Sequence, residues 1–286
     1  MKGFYLIDKA AGMTSFDVVR KVKKLSCEKK VGHSGTLDPL ATGLLLIACG
    51  EGTKLLEFFL GLDKVYEVTA VFGSVSDSYD ADGEIEVVSN DFNLSVEVIE
   101  SLIRDNFRGL IKQMPPKFSA LKVGGRRACD LVRAGVDVDL KAREVEVIDF
   151  KLVDLRLEEG THLASFVVHC GSGTYVRSLI HDLGQLLGCG AYVKVLRRVK
   201  ISNFSVEDAA TIDNFDPEKD LISLEKIVEI YERMDLTEFE MKGLTDGKVL
   251  KHSGFVENFR MGFFQGQLVG VLENVNGGIK FKKLIL

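Results

Sequence analysis

Paired cysteines are missing from this sequence of 286 residues. Its cysteines are odd in number and widely scattered, and no two of them form a Cys-x-x-Cys pair. They are Cys27, Cys49, Cys129, Cys170 and Cys189. Such spacing argues against a disulfide framework and against a structural zinc site. We therefore expect reduced thiols.

Long apolar runs are missing as well. No run approaches the roughly 20 residues that a helix needs to cross a bilayer. The segment Met1–Asp8 is too short and too soon charged for a secretory signal. We therefore expect a cytoplasmic protein with no membrane partner. The length suits one large domain, or a large and a small one.

The sequence also lacks an excess of positive charge, since its net charge is −5. The bases are nevertheless clustered in three segments, 20–30, 108–133 and 194–200. In the second segment Asp130 is the one acid, and the third segment has none. The acids concentrate in segment 207–240. Charge alone leaves a basic face for nucleic acid and ordinary solvated faces equally open.

One loop organises the rest of the chain. Segment Gly32–Gly43 contains three glycines and a proline, a composition that excludes a helix or strand interior. The apolar run Leu44–Cys49 that follows is typical of a strand buried on both faces. A loop anchored by such a strand can hold the Asp38 carboxylate rigidly at the edge of a cleft. The alternative is a turn aspartate that bonds its own backbone.

Strand and helix patterns alternate along the chain. The predicted strands are Phe4–Ile7, Lys64–Gly73, Val145–Leu157 and Leu163–Cys170. Helices are predicted from the capping residues Thr14, Thr53 and Ser95. The first of these helices should bury Phe16, Val19, Val22 and Leu25.

A further helix follows the glycine-rich segment Gly171–Thr174. Tyr175 and Arg177 fall at its start, off its apolar stripe. Glycines before a helix can bind phosphate, but no Walker lysine is present. The acidic stretch 76–84 lacks the ligand spacing of an EF-hand, so we discount metal there. Within that stretch Asp80 is expected to serve the turn, with support of a site as the alternative.

Two regions depart from these patterns. Segment 113–138 is long, basic and interrupted by prolines and glycines, with a short helix near 128–133. Such a segment is either functional or a flexible linker. After Leu236 the pattern predicts a small all-β tail. Its expected parts are a short helix at 239–244, β segments at 263–272 and 279–286, and a turn at 274–278.

Several motifs resemble the TruB-type tRNA pseudouridine synthases. The string GHSGTLDPLATGLL at 32–45 is similar to the family's catalytic pattern GHxGTLDPxAxGxL, and GTYVRS at 173–178 to its GTYxR(S/T). Tyr66 after Lys64, and Leu196 followed by two arginines, also fit. Ala10 stands where the family usually has proline. Residues 199–203 lack the family's threonine and glycine.

The resemblance implies a pseudouridine synthase fold, an α+β domain with a mixed, largely antiparallel sheet flanked by helices. This domain should span 1–235, with an RNA-clamp insertion at about 112–140. A small PUA-like RNA-binding β module should span 236–286. The implied reaction is isomerisation of uridine to pseudouridine at position 55 in the T arm of tRNA, after base flipping. We expect tRNA as the partner, a monomer, and no metal or other cofactor.

The resemblance also assigns roles. Asp38 matches the essential catalytic aspartate, Arg177 an arginine paired with it, and Tyr66 a tyrosine against the target base that could take the C5 proton. The expected substrate-binding residues are His33, Lys64, Arg126, Arg127, Tyr175 and Leu196. A neighbouring Arg177 should lower the pKa of Asp38 and orient it through a bidentate contact. His33 should occupy the space that the base vacates, or else be a loop histidine that bonds the backbone.

Three other functions compete with this one. Gly32-His33-Ser34-Gly35 hints at the nucleophile elbow of a serine hydrolase, but Thr36 stands where the pattern GxSxG needs glycine. A retaining glycosidase needs two placed carboxylates. A non-catalytic RNA-binding protein on the same scaffold is the third.

Overall fold

A computed structural model describes residues 1–89, 91–252 and 258–285. The helices are α1 Ser15–Leu25, α2 Leu56–Leu60, α3 Val96–Asn106, α4 Ala128–Arg133, α5 Val176–Leu186, α6 Leu224–Ile227 and α7 Glu238–Thr245. The first nine strands are β1 Gly3–Lys9, β2 Val31–His33, β3 Thr42–Cys49, β4 Lys64–Phe72, β5 Ser74–Ser76, β6 Ile85–Val87, β7 Gly109–Gln113, β8 Lys122–Val123 and β9 Arg126–Arg127. The others are β10 Arg143–Glu158, β11 Thr161–Cys170, β12 Ala191–Ile201, β13 Phe204–Ser205, β14 Ala210–Thr211, β15 Arg233–Asp235, β16 Leu250–Lys251, β17 Phe259–Phe264, β18 Gln267–Val275 and β19 Gly278–Leu284.

A mixed, largely antiparallel sheet forms the main layer. In the part of the chain described, its strands lie in the order β14, β1, β3, β12, β4, β11, β10, β7, with β2 and β13 paired at the side. The parallel pairs are β1 with β14 and β3 with β12. The expected α+β fold is confirmed, and the strands predicted at Val145–Leu157 and Leu163–Cys170 are present as β10 and β11, which pair antiparallel.

The central strand β3 is buried on both faces, as its apolar run predicts. Its residues Leu44 and Leu46 pack into one core cluster, whereas Leu45 and Ile47 pack into another. This alternation follows from the two-residue period of a strand. Because both faces are covered, β3 gives the preceding loop a rigid anchor.

Helix α1 begins at its predicted cap, where Thr14 and Asp17 form a capping box. The predicted buried face is partly wrong, since Phe16 is 64% and Leu25 48% exposed. The buried residues are Ser15, Val18, Val19 and Val22. Ser15 sets this orientation, because its hydroxyl exchanges hydrogen bonds with the backbone of Leu37.

The cap predicted at Thr53 is wrong. Thr53 lies inside a 3₁₀ helix, Gly50–Leu55, and its hydroxyl donates to the carbonyl of Gly50. The cap predicted at Ser95 is confirmed, because its side chain accepts a hydrogen bond from the amide of Val98. The short helix near 128–133 is also confirmed as α4.

A second sheet, in the order β15, β17, β18, β19, β16, forms the C-terminal part with α7. It packs on the first core through Phe259 and Phe58, whose ring centroids lie 4.8 Å apart. The predicted β segment 263–272 is interrupted by a tight turn at Gln265-Gly266, where both residues have positive φ. The turn predicted at 274–278 is confirmed, and residue 286 lies outside the described residues.

The boundary at 235/236 stays a prediction. Strand β15 lies on its N-terminal side and pairs with β17 of the second sheet. Among the described residues, no helix is long and apolar enough to cross a membrane. In the same part of the chain, no three His, Cys, Asp or Glu side chains are grouped to hold a metal ion.

Candidate active site

The loop before β3 is fixed on both sides of Asp38. Leu37 is buried and bonded to Ser15, and the Pro39 carbonyl accepts a hydrogen bond from the Gly12 amide at 2.9 Å. The Asp38 carbonyl closes a turn with the amide of Ala41 at 3.1 Å. The backbone around Asp38 is therefore held in place while its carboxylate remains about one-third exposed.

The predicted loop Gly32–Gly43 is wrong at both ends, because residues 32–33 belong to β2 and residues 42–43 to β3. Gly43, at the start of β3, shows why this position needs glycine. Its φ is +102°, and a Cβ built there would lie 2.2 Å from the carbonyl oxygen of Arg198. That contact arises where β3 and β12 run side by side, with Gly43 opposite Arg198. No other residue fits at this position without displacing backbone.

Lys9 ties the first turn of the chain to the same loop. Its side chain is fully buried, and its ammonium group donates to the carbonyls of Ala10, Met13 and Pro39 at 3.0, 2.7 and 3.3 Å. Burial lowers the pKa of Lys9 to about 8, although Asp38 opposes that shift.

Arg177 bridges two carboxylates from distant parts of the chain. It enters from the first turn of α5, and its side chain is 4% exposed. Its Nη2 lies 2.9 Å from Oδ2 of Asp38, and its Nη1 lies 3.2 Å from Oδ2 of Asp80. The pairing of Arg177 with Asp38 is present, but the two guanidinium nitrogens go to different acids, so the expected bidentate contact is wrong.

The pKa of Asp38 lies above its usual value. Burial raises it, the Arg177 guanidinium opposes that shift, and the neighbouring Asp80 adds to it. Arg177 lowers the pKa of Asp38 as expected, but the effect of burial on the carboxylate is larger, so the net shift is upward.

Asp80 serves both the turn and the arginine. One of its carboxylate oxygens accepts hydrogen bonds from the Ser78 hydroxyl at 2.5 Å and the Asp82 amide at 3.1 Å, while the other contacts Arg177. The preceding carbonyl of Ser78 also accepts from Arg177 Nη1, at 2.6 Å. The expected turn role and its alternative, support of a site, therefore both hold.

An open pocket of about 290 Å³ lies over these groups. Six of the residues predicted for the site line it: Asp38, Lys64, Tyr66, Tyr175, Arg177 and Leu196. Asp38 is the one acid among the described residues that line the pocket. The geometry thus offers a single carboxylate beside an aromatic and aliphatic wall.

Two family models match the chain. The model described as TruB family pseudouridylate synthase (N terminal domain) matches residues 23–176. The chain belongs to the TruB family. The tRNA pseudouridylate synthase B C-terminal domain matches residues 177–238.

Curated relatives extend along the whole TruB chain. It is 37% identical to "tRNA pseudouridine synthase B" of Aquifex aeolicus (strain VF5) and 34% identical to the protein of that name from Clostridium acetobutylicum, each over 100% of both chains. As a member of this family, the chain is an isomerase that converts uridine to pseudouridine.

Solved structures share the fold of this TruB chain. A Cbf5-Nop10-Gar1 complex matches with a TM-score of 0.74 and 24% identity, over 99% of this chain and 85% of that one. An H/ACA RNP bound to a substrate RNA containing 2′-deoxyuridine gives the same TM-score and coverage at 21% identity.

Arg198 is a pocket residue that the sequence motifs did not single out. It is 1% exposed, and its Nε and Nη2 donate to the carbonyls of Leu44 and Gly35 at 2.7 and 3.2 Å. The signal lay in the alternation of β12, because Leu196 and Arg198 are two residues apart and share a face. In this TruB chain the arginine therefore reaches the pocket beside the predicted leucine.

Arg198 also sets the charge around its neighbours. Burial raises the pKa of Tyr66, and the Arg198 guanidinium opposes that shift. The same arginine adds to the effect of burial in lowering the pKa of Lys64 to about 8. The Lys64 ammonium donates to the carbonyls of Leu60, at 2.8 Å, and Leu62.

Three predicted residues lie outside the pocket lining. His33 ends β2 and is half-buried, and burial together with Arg198 lowers its pKa. Arg126 and Arg127 form the exposed strand β9 of the insertion. The structure therefore does not gather these three around the carboxylate.

The N-terminal part of the insertion is hydrogen-bonded to the candidate site. The side-chain amide of Gln113 exchanges hydrogen bonds with the backbone of Tyr175, at 3.0 and 2.8 Å. The carbonyl of Phe118 accepts from Arg177 Nη2 at 3.0 Å, and that of Met114 from the Ser178 hydroxyl at 2.8 Å. The insertion thus contacts the start of α5, where the arginine of this TruB site is placed.

Proposed function

We propose that this chain converts the uridine at position 55, in the T arm of tRNA, to pseudouridine, with Asp38 as the essential carboxylate. The names of the full-length relatives support tRNA as the substrate. The observation that carries the role of Asp38 is its 2.9 Å contact with the buried Arg177, in a pocket that no other acid of the described residues lines.

The reaction breaks the bond between N1 and C1′, rotates the uracil, and joins C5 to C1′. The ionised Asp38 either attacks C1′ or removes the 2′ proton to give a glycal. In both routes Arg177 stabilises the negative charge of the Asp38 carboxylate and fixes its orientation. Asp80 contacts the arginine from its other side, so Arg177 is held by both carboxylates.

The wall of the pocket is suited to an everted base. Flipping costs a few kcal/mol of stacking, and Tyr66, Tyr175 and Leu196 offer aromatic and apolar surface in return. After C5 is joined to C1′, Tyr66 removes the C5 proton. The phenolate form of Tyr66 is the acceptor and becomes the phenol as the C5 proton is transferred. Burial raises the pKa of Tyr66 and so disfavours the phenolate, whereas the Arg198 guanidinium opposes that shift.

The remaining residues serve RNA binding. The insertion at about 112–140 carries Arg126 and Arg127 exposed on a hairpin, where each can neutralise a phosphate. His33 fills the space that the base leaves. The C-terminal module at 236–286 adds a second RNA contact, and the protein acts as a monomer.

The competing functions find less support. Ser34 is fully buried outside the pocket lining, which leaves a serine hydrolase without an accessible nucleophile. A retaining glycosidase lacks its second carboxylate, because Asp80 is 3% exposed and bound to Arg177. A non-catalytic RNA-binding protein would have no turnover.

Mapping of pseudouridine in unmodified tRNA tests the proposal. The wild-type protein is incubated with a tRNA transcript, and carbodiimide-dependent stops are read by reverse transcription. We expect one new stop at position 55, and none in a matched transcript with cytidine there. Stops at other positions, or no stop at any enzyme concentration, would contradict the proposed substrate.

A further inference from the structure

A tyrosine and a histidine stack next to the network of Asp38, Arg177 and Asp80. The ring centroids of Tyr79 and His181 lie 3.8 Å apart, with 11° between the ring planes. Neither residue lines the pocket. Their contact is therefore outside the reacting groups and has no role in the mechanism so far.

Helix α5 holds the turn of Tyr79 at two points. Arg177 donates to the carbonyl of Ser78 and contacts the carboxylate of Asp80, the residues on either side of Tyr79. His181 follows Arg177 by four residues, so both side chains share one face of the helix. One contact is charged and the other is aromatic.

The backbone of Tyr79 is unusual for a large side chain. Its φ is +65°, in the left-handed region that glycine adopts most easily. The conformation is held by hydrogen bonds from the Tyr79 amide to the Ser76 carbonyl at 3.1 Å and from the Val193 amide to the Tyr79 carbonyl at 3.0 Å. A glycine would fit this backbone without strain, but it could not contact His181.

The stack is a contact between neutral rings. Burial lowers the pKa of His181 from its ordinary value, so the imidazole is uncharged at neutral pH. Asp182 and Lys117 also lie near the Tyr79 hydroxyl, with opposite effects on its pKa. Removing either ring therefore deletes no charge from the network around Asp38.

We propose that Tyr79 and His181 are positioning residues, whose stacked rings hold the turn that presents Asp80 to Arg177 and so fix the orientation of Asp38. The inference rests on the proposed function, because Asp38 must be the reacting group for its orientation to matter. A displacement of about 1 Å at a reacting group can cost about 100-fold in rate.

Single-turnover kinetics with excess enzyme and unmodified tRNA test the proposal, with tRNA binding and melting temperature measured alongside. We expect Tyr79→Gly and His181→Ala to lower the rate constant about 10- to 100-fold, with the Kd for tRNA within about twofold. Tyr79→Phe keeps the ring and should restore the rate to within about twofold of wild type. In Tyr79→Gly the relief of the left-handed backbone offsets part of the stability lost with the ring, and the melting temperature shows that the variant is folded at the assay temperature.

His162→Ala is the matched control. It removes another contact between a histidine and an aromatic ring, with Phe92 at 4.8 Å, from β11. The proposal is overturned if Tyr79→Gly and His181→Ala react at the wild-type rate, or if His162→Ala or Tyr79→Phe is slowed as much as they are. It is equally overturned if the variants bind tRNA more weakly and react at the wild-type rate once bound.

Asp38→Asn, measured in the same series, separates this inference from the proposed function. An inactive Asp38→Asn beside fully active Tyr79→Gly and His181→Ala contradicts the positioning role alone. A fully active Asp38→Asn contradicts the proposed function itself.

Discussion

At the scale of single residues, the Asp38 carboxyl is under opposing influences. Burial and the neighbouring Asp80 raise its pKa, while Arg177 lowers it. The proposed chemistry needs the carboxylate, so every group that stabilises its charge extends activity to lower pH. Arg177 is the strongest of these groups.

The first prediction concerns Arg177→Gln. Because the pKa of Asp38 is already raised, activity falls as the pH drops through it, and removal of the guanidinium raises that pKa further. The acid limb of the profile of rate against pH should therefore move to higher pH. Arg177→Lys, which keeps the charge, should move it less. An acid limb at the same pH in Arg177→Gln and wild type would contradict this electrostatic role.

The second prediction concerns Tyr66→Phe. The phenyl ring keeps the apolar surface for the base but cannot take the C5 proton. We expect the single-turnover rate to fall about 100- to 10,000-fold, as for loss of a general base, with the Kd for tRNA within about twofold. A matched Tyr192→Phe, on β12 outside the pocket lining, should react as wild type. Full activity of Tyr66→Phe would assign the proton to another group.

Asp38, Tyr66, Tyr175, Arg177 and Leu196 could be found from the sequence because motifs mark them. Arg198 was not found, since a basic run such as 194–200 does not show which of its arginines is buried. Its place two residues after Leu196 puts it on the same face of β12, and the pairing of β12 with β3 and β4 turns that face inward.

At the scale of elements, the loop that carries Asp38, the strand β3 and the helix α5 together position the candidate site. The covered strand anchors the loop, and α5 brings Arg177 to it. The cap of α1 could be predicted from Thr14 and Asp17, but its buried face could not. That face depends on the bond between Ser15 and Leu37, which joins elements that are separate in sequence.

The third prediction is made at this scale, for Gly43→Ala. The positive φ alone should cost about 1–3 kcal/mol, and overlap of the new Cβ with the Arg198 carbonyl adds to that cost. The melting temperature should fall by several degrees, at about 2–4 °C per kcal/mol. Gly61→Ala is the control, because a Cβ there meets open space. Equal melting temperatures for the two variants would argue against the close approach of β3 and β12.

At the scale of the whole molecule, two acids far apart in sequence meet at Arg177, which lines the pocket. Asp38 comes from the loop before β3, Asp80 from the turn between β5 and β6, and Arg177 from α5. The sequence could not predict that Asp38 and Asp80 share Arg177. The segment around each aspartate does not show that the other aspartate lies nearby in the fold. The basic insertion could be predicted from its composition, and the bonds of Gln113 and Phe118 to the site could not.

The fourth prediction concerns the basic insertion. Arg126→Gln with Arg127→Gln should weaken tRNA binding and reduce the slope of log K against log salt by about 0.7–0.9 for each phosphate that is no longer neutralised. Lys219→Gln with Lys226→Gln removes the same charge from the acidic segment 207–240 and should leave the slope unchanged. Equal slopes in both double variants would contradict RNA binding by the insertion.

The central claim is that Asp38, oriented by Arg177, performs the chemistry. Single-turnover formation of pseudouridine by Asp38→Asn tests it most directly, with tRNA binding measured on the same protein and Asp213→Asn, an exposed aspartate, as control. The account predicts no detectable pseudouridine from Asp38→Asn, tRNA affinity within about twofold of wild type, and full activity of the control. Formation of pseudouridine by Asp38→Asn at the wild-type rate would contradict it.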